Sequence, residues 1–250
     1  MLVKTAGLVL RETRVGEADK LLCVLTPTDG KITVKARGAL RKGSRTGSAT
    51  QLFAFSEMAL FQGKSQYTLN EASPVELFFP LRERVESMAL AAYVCEVLEL
   101  LSDADSGMEE LLRLGLNTLY ALSEQTASEA LIKAAFELRV AALAGYAPEA
   151  EGACTACGAA EDLYFSPAEG AVFCRLHLPG DRGAVYLRGG AAEAMNYVLS
   201  CDARRIFSFR LGEEGMRAFS VAAERYLLAA LGRGFRTLDY YHKILSSTEY

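Results

Sequence analysis

Four residues of this chain have the types and spacing of a metal site: Cys154 and Cys157 in a C-x-x-C pair, and Cys174 and His177 in a C-x-x-H pair. Three thiolates and one imidazole, presented by two such knuckles, can close a tetrahedral shell around Zn²⁺. Sixteen residues separate Cys157 from Cys174, and within them YFSPAEGAVF reads as a hairpin. Tyr164 and Phe165 would pair with Val172 and Phe173 across the Pro167 to Gly170 turn. Gly158 suits a tight knuckle. Four protein ligands leave no coordination position for a substrate, so the expected zinc is structural, stapling a subdomain too short to bury its own core. The competing reading is three unrelated thiols in a small hairpin.

The second chemical signal is a run of positive charge. Lys31, Lys35, Arg37, Arg41, Lys42 and Arg45 fall within fifteen residues, and no acidic residue occurs between Asp29 and Glu57. The run begins as an alternating strand, with Ile32 and Val34 on one face and Lys31, Thr33 and Lys35 on the other. It then passes into Gly, Ser and Thr. A strand running into a cationic loop can follow a phosphate backbone. It can equally be a solvated surface loop.

Nothing else in the sequence offers catalysis. The phosphate-binding G-x-x-x-x-G-K-[ST], the nucleophile elbow G-x-S-x-G and the metalloprotease H-E-x-x-H are absent. A zinc deaminase would need H-x-E ahead of P-C-x-x-C, which is also missing. His242, the only histidine outside the cluster, sits in a helical pattern as a surface or packing residue. The expectation is a protein that is not an enzyme.

The elements that must position these residues change character along the chain. Five short β-rich runs, Gly7 to Arg11, Lys20 to Thr26, Lys31 to Arg37, Gln51 to Phe61 and Gln66 to Asn70, are separated by the turn signals VGEAD, PTDG and FQGKSQ. Pro27-Thr28-Asp29-Gly30 has the residues of a hairpin turn. Five strands in this length suggest a closed OB-type barrel, whose grooves commonly hold single-stranded nucleic acid. Phe53, Phe55, Phe61 and Tyr67 would then be stacking faces or core. Pro74 and Pro80 mark the expected end of the barrel. From there the period is helical: Glu83 to Leu101 is apolar on most of its circumference, a central buried helix. Ser106 and Glu109 have capping-box spacing for a second helix ending near Ser123. Ser128 caps a third, which stops at Gly145 with Pro148 beyond. After the cysteines come AAEAMNYVLS, EEGMRAFSVAAERYLLAAL and TLDYYHKIL, all at helical spacing. Arg204, Arg205, Arg210, Arg217, Arg225, Arg233, Arg236 and Lys243 there form a second cationic face or complement helix C-termini. The fold class is therefore multidomain α+β: an OB-type barrel over 1–80, an all-α helical domain from 81–150 and 186–250, and a zinc-binding hairpin inserted at 151–185.

Composition bounds these readings. Of 250 residues, 51% are hydrophobic and 23% charged, which is globular, and the net charge is −4. That average conceals a split, because residues 1–80 hold 11 Lys and Arg against 7 Asp and Glu, net +4, and the remainder is net −8. No apolar run reaches the roughly 18–20 residues of a membrane span. The start, MLVKTAGLVLRET, is too short in apolar residues for a secretory signal. Cys23, Cys95 and Cys201 are isolated, so no disulfide framework is expected, and a reducing cytoplasm fits.

Taken together, GLVLRETRVGEADKLLCVLTPTDGKITVKARGALRKGSR, QLFAFSEMAL, FELRVAALAGYAPEAEGACTACG and AERYLLAALGRGFRTLDYYHKIL resemble, in order and spacing, the RecO family of bacterial recombination mediators. The resemblance spans nearly the whole chain. It implies an N-terminal OB-fold, a helical domain and a zinc hairpin. It also implies binding to single- and double-stranded DNA, annealing of complementary strands, association with RecR, and help to RecA in displacing single-strand-binding protein (SSB). By the same resemblance the DNA contacts fall on Lys31, Lys35, Arg37, Arg41, Lys42 and Arg45, and the metal ligands on Cys154, Cys157, Cys174 and His177. His177 departs from the cysteine usual at that position. The family's dock for the acidic, hydrophobic SSB tail lies in the helical domain. It needs an apolar pocket plus a cation, and Lys133 and Arg139 are the only basic residues of the third helix. Two other readings compete: a zinc-ribbon transcription or translation accessory factor on duplex DNA or RNA, and an interaction scaffold without nucleic-acid affinity.

Overall fold

The computed structural model describes residues 1–64, 66–102 and 108–248. The chain divides into two compact units, residues 1–124 with 235–250 and residues 125–234.

The first unit opens with five strands, β1 (Leu2–Val15), β2 (Asp19–Thr26), β3 (Gly30–Ala36), β4 (Phe55–Gln62) and β5 (Tyr67–Glu76). They close in the order β1-β2-β3-β5-β4, with β3 and β5 parallel and every other pairing antiparallel. This is the OB-type barrel expected from the strand count. Period-2 patterning fills it: Val9, Leu22, Val24, Ile32, Val34, Met58, Leu60 and Leu69 form one buried cluster. The β2–β3 turn closes as its residues demand. Gly30 sits at φ +59°, and Thr26 Oγ1 donates to Gly30 O while accepting from Asp29 N.

Three strand boundaries differ from expectation. β1 runs the full length from Leu2 to Val15, pairing β4 with its first half and β2 with its second across a bulge at Val9/Arg11. β4 starts at Phe55 rather than Gln51, because Phe53 takes a left-handed backbone (φ 71°) and donates its N–H to Val9 O. β5 continues through Pro74, which pairs with Ser56 beside a register shift. Proline is tolerated there because a bulge does not need its missing N–H.

Among the described residues, three α-helices complete this unit. α1 (Val85–Leu101) buries Ala89, Leu90, Ala91, Tyr93, Val94, Cys95, Val97 and Leu98, the all-round burial its sequence implied, and exposes only its entry side at Val85 and Met88. α2 (Met108–Ser123) follows, and Ser106, the expected cap, lies outside the described residues. α6 (Arg236–Thr248) returns against α1: Thr237 donates from N and Oγ1 to Glu96 Oε2, and Phe235 meets Tyr93 edge to face at 5.5 Å.

The second unit begins with α3 (Glu129–Leu143). Ser128 Oγ accepts from Leu131 N, and Gly145 (φ 88°) ends the helix by donating to Ala142 O. A three-stranded sheet of order β7-β6-β8 comes next, from β6 (Leu163–Ser166), β7 (Ala171–Cys174) and β8 (Val185–Tyr186). The β6–β7 hairpin has the expected register, Tyr164 opposite Phe173 and Phe165 opposite Val172. α4 (Ala191–Ser200) and α5 (Glu213–Leu231) finish the unit. Gly215 at the start of α5 touches Gly189, where an added Cβ would fall 2.0 Å from Gly189 O, so only glycine fits. No described helix is long and apolar enough to cross a membrane.

Candidate nucleic-acid interface and metal centre

β3 delivers the basic segment. Its alternation buries Ile32, Val34 and Ala36 and turns Lys31, Thr33 and Lys35 outward. Past Ala36 the chain folds into consecutive turns, with Arg41 N donating to Gly38 O and Ser44 N to Arg41 O, each at 3.0 Å. The β1–β2 corner anchors this loop: Leu40 N donates to Ala18 O, and Gly38 N to Asp19 Oδ1 at 2.9 Å. The Gly38 amide, with Lys35 and Arg37 nearby, holds the Asp19 carboxyl below the usual carboxylate range.

The six cations are not equivalent. Arg37, Arg41, Lys42 and Arg45 are exposed. Lys35 is half-buried and lies 3.6 Å from Asp19. Lys31 is half-buried too, with Nζ donating to Glu99 O at 3.1 Å. Arg45 and Lys4 line a groove of about 840 Å³ over β1, β4 and β5, with Asn70, Ser73, Glu57 and Glu71. Of the four candidate stacking aromatics, Phe53 is core at 1% exposure, Phe55 and Tyr67 are half-buried, and Phe61 is 49% exposed.

Sequence reading missed the cations that build this surface from beneath. Lys20 is buried, with Nζ on Glu12 Oε2 and Thr50 O, and so ties the end of the basic loop to the barrel. Arg82 donates to Leu52 O and Leu77 O and lies 5.9 Å from the Phe53 and Phe79 ring centres. Both look like ordinary surface charges in sequence, because each also bonds a carbonyl thirty residues away, Thr50 O for Lys20 and Leu52 O for Arg82.

In the second unit the four metal-ligand candidates converge. Their donor atoms all lie within 4.8 Å of one another, with Cys154 and Cys174 buried and Cys157 and His177 exposed. Cys154 Sγ is 3.8 Å and Cys174 Sγ 3.3 Å from His177 Nδ1, and Cys157 Sγ is 3.8 Å from Cys174 Sγ. Ligands of one tetrahedral ion at ordinary bond lengths stand roughly 3.5–3.8 Å apart, so the cluster fits a bound metal. Each knuckle is a turn: Gly158 N donates to Cys154 O, and His177 N to Cys174 O. Thr155 braces the first knuckle on β7 through N and Oγ1 to Val172 O. Burial pushes the Cys154 thiol up, but the amides of Cys174, Ala156 and Cys157 together pull it down to about 6. Cys174 is likewise raised by burial and lowered by more, through the His177 side chain and the His177 and Leu176 amides. The knuckles thus favour the thiolate form that a metal requires at Cys154 and Cys174. Cys157, though the Ala159 amide pulls it down, is held up by its hydrogen bonds with the Cys154 and Cys174 sulfurs.

Lys133 and Arg139 both point into structure. Lys133 is 3% exposed, with Nζ 2.8 Å from Glu137 and 2.6 Å from Glu224. Burial disfavours its charge, yet the two carboxylates outweigh that and raise its pKa. Arg139 is half-buried, and its Nη2 donates to Cys201 O at 2.5 Å. An enclosed ammonium is not positioned to receive a peptide carboxylate.

A cavity of about 540 Å³ elsewhere in this unit combines Leu131, Phe207, Phe209 and Met216 with the exposed Arg210.

Comparison with known proteins gives one consistent result. Residues 1–78 match the family described as Recombination protein O N terminal, and residues 82–239 match Recombination protein O C terminal. The chain is 33% identical over 240 residues to DNA repair protein RecO of Acetivibrio thermocellus, covering 95% of each chain. It is 32% identical over 246 residues to the protein of the same name from Symbiobacterium thermophilum, covering 96% of this chain and 97% of that one. With that of Alkaliphilus metalliredigens it shares 30% identity over 247 residues, 98% of this chain and the whole of the relative.

Proposed function

The chain belongs to the RecO family, and from that premise we propose that it is a DNA repair protein acting as a recombination mediator. It binds and anneals single-stranded DNA and, with RecR, helps load RecA onto SSB-coated strands. The observation that carries this reading is the exposed quartet Arg37, Arg41, Lys42 and Arg45 on a turn-built loop leaving the OB-type barrel. Two complementary strands repel one another through their phosphates. A cationic loop that neutralises phosphates on one strand lowers the barrier to approach of the other.

No covalent chemistry enters this role. Cys154, Cys157, Cys174 and His177 would hold a zinc ion, and four protein ligands give it a structural task, cross-linking the two knuckles. The tail of SSB, acidic and apolar, fits the Arg210 cavity better than Lys133, since the cavity offers Leu131, Phe207 and Met216 beside an exposed guanidinium. The protein acts in the cytoplasm, on the nucleoid. A fluorescence-quenching annealing assay with complementary oligonucleotides, free or SSB-coated, tests the reading. Faster pairing of both supports it, and pairing at the protein-free rate removes it.

A further inference from the structure

The small sheet of the second unit carries an aromatic row that neither annealing nor metal binding uses. Along its strands Leu163, Phe165, Val172, Cys174 and Val185 are buried, while Tyr164, Phe173 and Tyr186 are half-buried on the other face. Tyr164 pairs with Phe173 on one side and Tyr186 on the other, so the three rings form a row across β7, β6 and β8. Tyr164 and Tyr186 stack, with centres 4.8 Å apart and planes 25° apart. The guanidinium of Arg188 lies 4.7 Å over Tyr186, so one end of the row already holds a cation of the chain's own.

The other end opens into a groove. Phe173 and Tyr226 line a cavity of about 440 Å³ together with Glu149, Glu169 and Thr155. Both glutamates are exposed, and among the described residues neither meets a cation. Charge decides what the row can receive. Residues 146–188 hold six carboxylates (Glu149, Glu151, Glu161, Asp162, Glu169, Asp181) against three guanidiniums (Arg175, Arg182, Arg188). Flat rings can stack on nucleobases, but a phosphate backbone laid here would run over acidic ground. A planar guanidinium suits both features at once, stacking on an aromatic face and forking onto a carboxylate.

We propose that this face docks an arginine-bearing basic segment of a partner protein, with one guanidinium against Tyr164 and Phe173 and its charge met by Glu149 and Glu169. Arg188 over Tyr186 is the internal precedent. Arginine is preferred to lysine, because an ammonium gains less from the ring row.

The test uses the full-length protein and fluorescein-labelled ten-residue peptides of alternating Arg and Ser or Lys and Ser, read by anisotropy beside labelled oligo-dT. The Arg peptide binds more tightly than the Lys peptide. Glu149→Gln with Glu169→Gln weakens the Arg peptide roughly tenfold, as expected when two charge partners are removed. Tyr164→Leu, which keeps apolar bulk, weakens it about threefold. Oligo-dT affinity stays unchanged in both. A control pair on α2 and its exit, Glu110→Gln with Glu124→Gln, removes equal charge elsewhere and leaves the peptide bound. Equal binding by the groove pair, the control pair and the unaltered protein overturns the proposal. So does Tyr164→Leu weakening oligo-dT while sparing the peptide, which would make the row a base-stacking platform. The glutamate pair is exposed and carries the test even where Tyr164→Leu fails to fold.

Discussion

Lys133 and Glu137 stand one turn apart on α3, 3% and 0% exposed, with Nζ 2.8 Å from the carboxylate. Glu224 of α5 closes the other side of the ammonium at 2.6 Å. The three charges clip α3 to α5 inside the second unit. Removing one partner of a buried pair leaves the other charge desolvated and uncompensated, at a cost of about 3–5 kcal/mol. Lys133→Met is therefore expected to lower stability by that order in urea unfolding of the full chain. Adding Glu137→Leu removes the stranded carboxylate and recovers most of the loss. Glu224, one quarter exposed, keeps access to water, so Glu224→Gln costs about 1 kcal/mol. A Lys133→Met protein as stable as the parent would dismiss the clip.

The metal centre predicts a separation of functions. Purified protein should carry one zinc per chain by elemental analysis, and Cys157→Ser should release it. The knuckle then loses its cross-link, and the hairpin becomes sensitive to protease near Gly158. DNA affinity of the full chain should not change, because none of the exposed cations proposed to grip DNA belongs to the second unit. Loss of DNA binding together with the metal would assign the centre more than a structural role.

Acid should weaken the same unit through Asp181. Its carboxylate accepts from Ser166 Oγ at 2.7 Å and from Gly183 N at 2.7 Å, and these bonds hold its pKa below the ordinary value of 3.8. A depressed carboxylate pKa contributes stability above the unfolded value and loses it as pH falls through the folded one. The Asp181 contribution to the thermal midpoint should therefore be constant near neutrality and be lost below about pH 4. Asp181→Ala should start lower and show a shallower acid decline. An identical decline in both proteins would show that Asp181 takes no part in it.

Much of this was legible because local rules dictated it. The alternation of Lys31, Thr33 and Lys35 with Ile32 and Val34 fixed which face of β3 is wet, and one residue of slip would have buried the lysines. Ser128 and Gly145 marked both ends of α3, and hairpin spacing set Tyr164 opposite Phe173. What escaped was non-local. Glu224 lies 91 residues from Lys133, and no local pattern separates an enclosed lysine from a solvated one. Pro74 looked like a terminator because sequence does not reveal the bulge that accommodates it. β8 is only two residues long, too short to show a period.

The basic loop gives the sharpest test of DNA binding. Arg37, Arg41 and Lys42 are exposed, whereas Lys35 faces Asp19 and Lys31 is engaged with Glu99 O. For every phosphate no longer neutralised, the slope of log K against log salt should fall by about 0.7–0.9, so replacing all three by Ala should flatten it by roughly 2–3. Lys31→Ala should behave differently, lowering the melting temperature of the chain more than it changes the slope. Titrations of oligo-dT across a range of salt separate the two outcomes. A triple variant with the parent's slope would exclude the loop as the main DNA-gripping element and leave the Arg45–Lys4 groove as the next place to look.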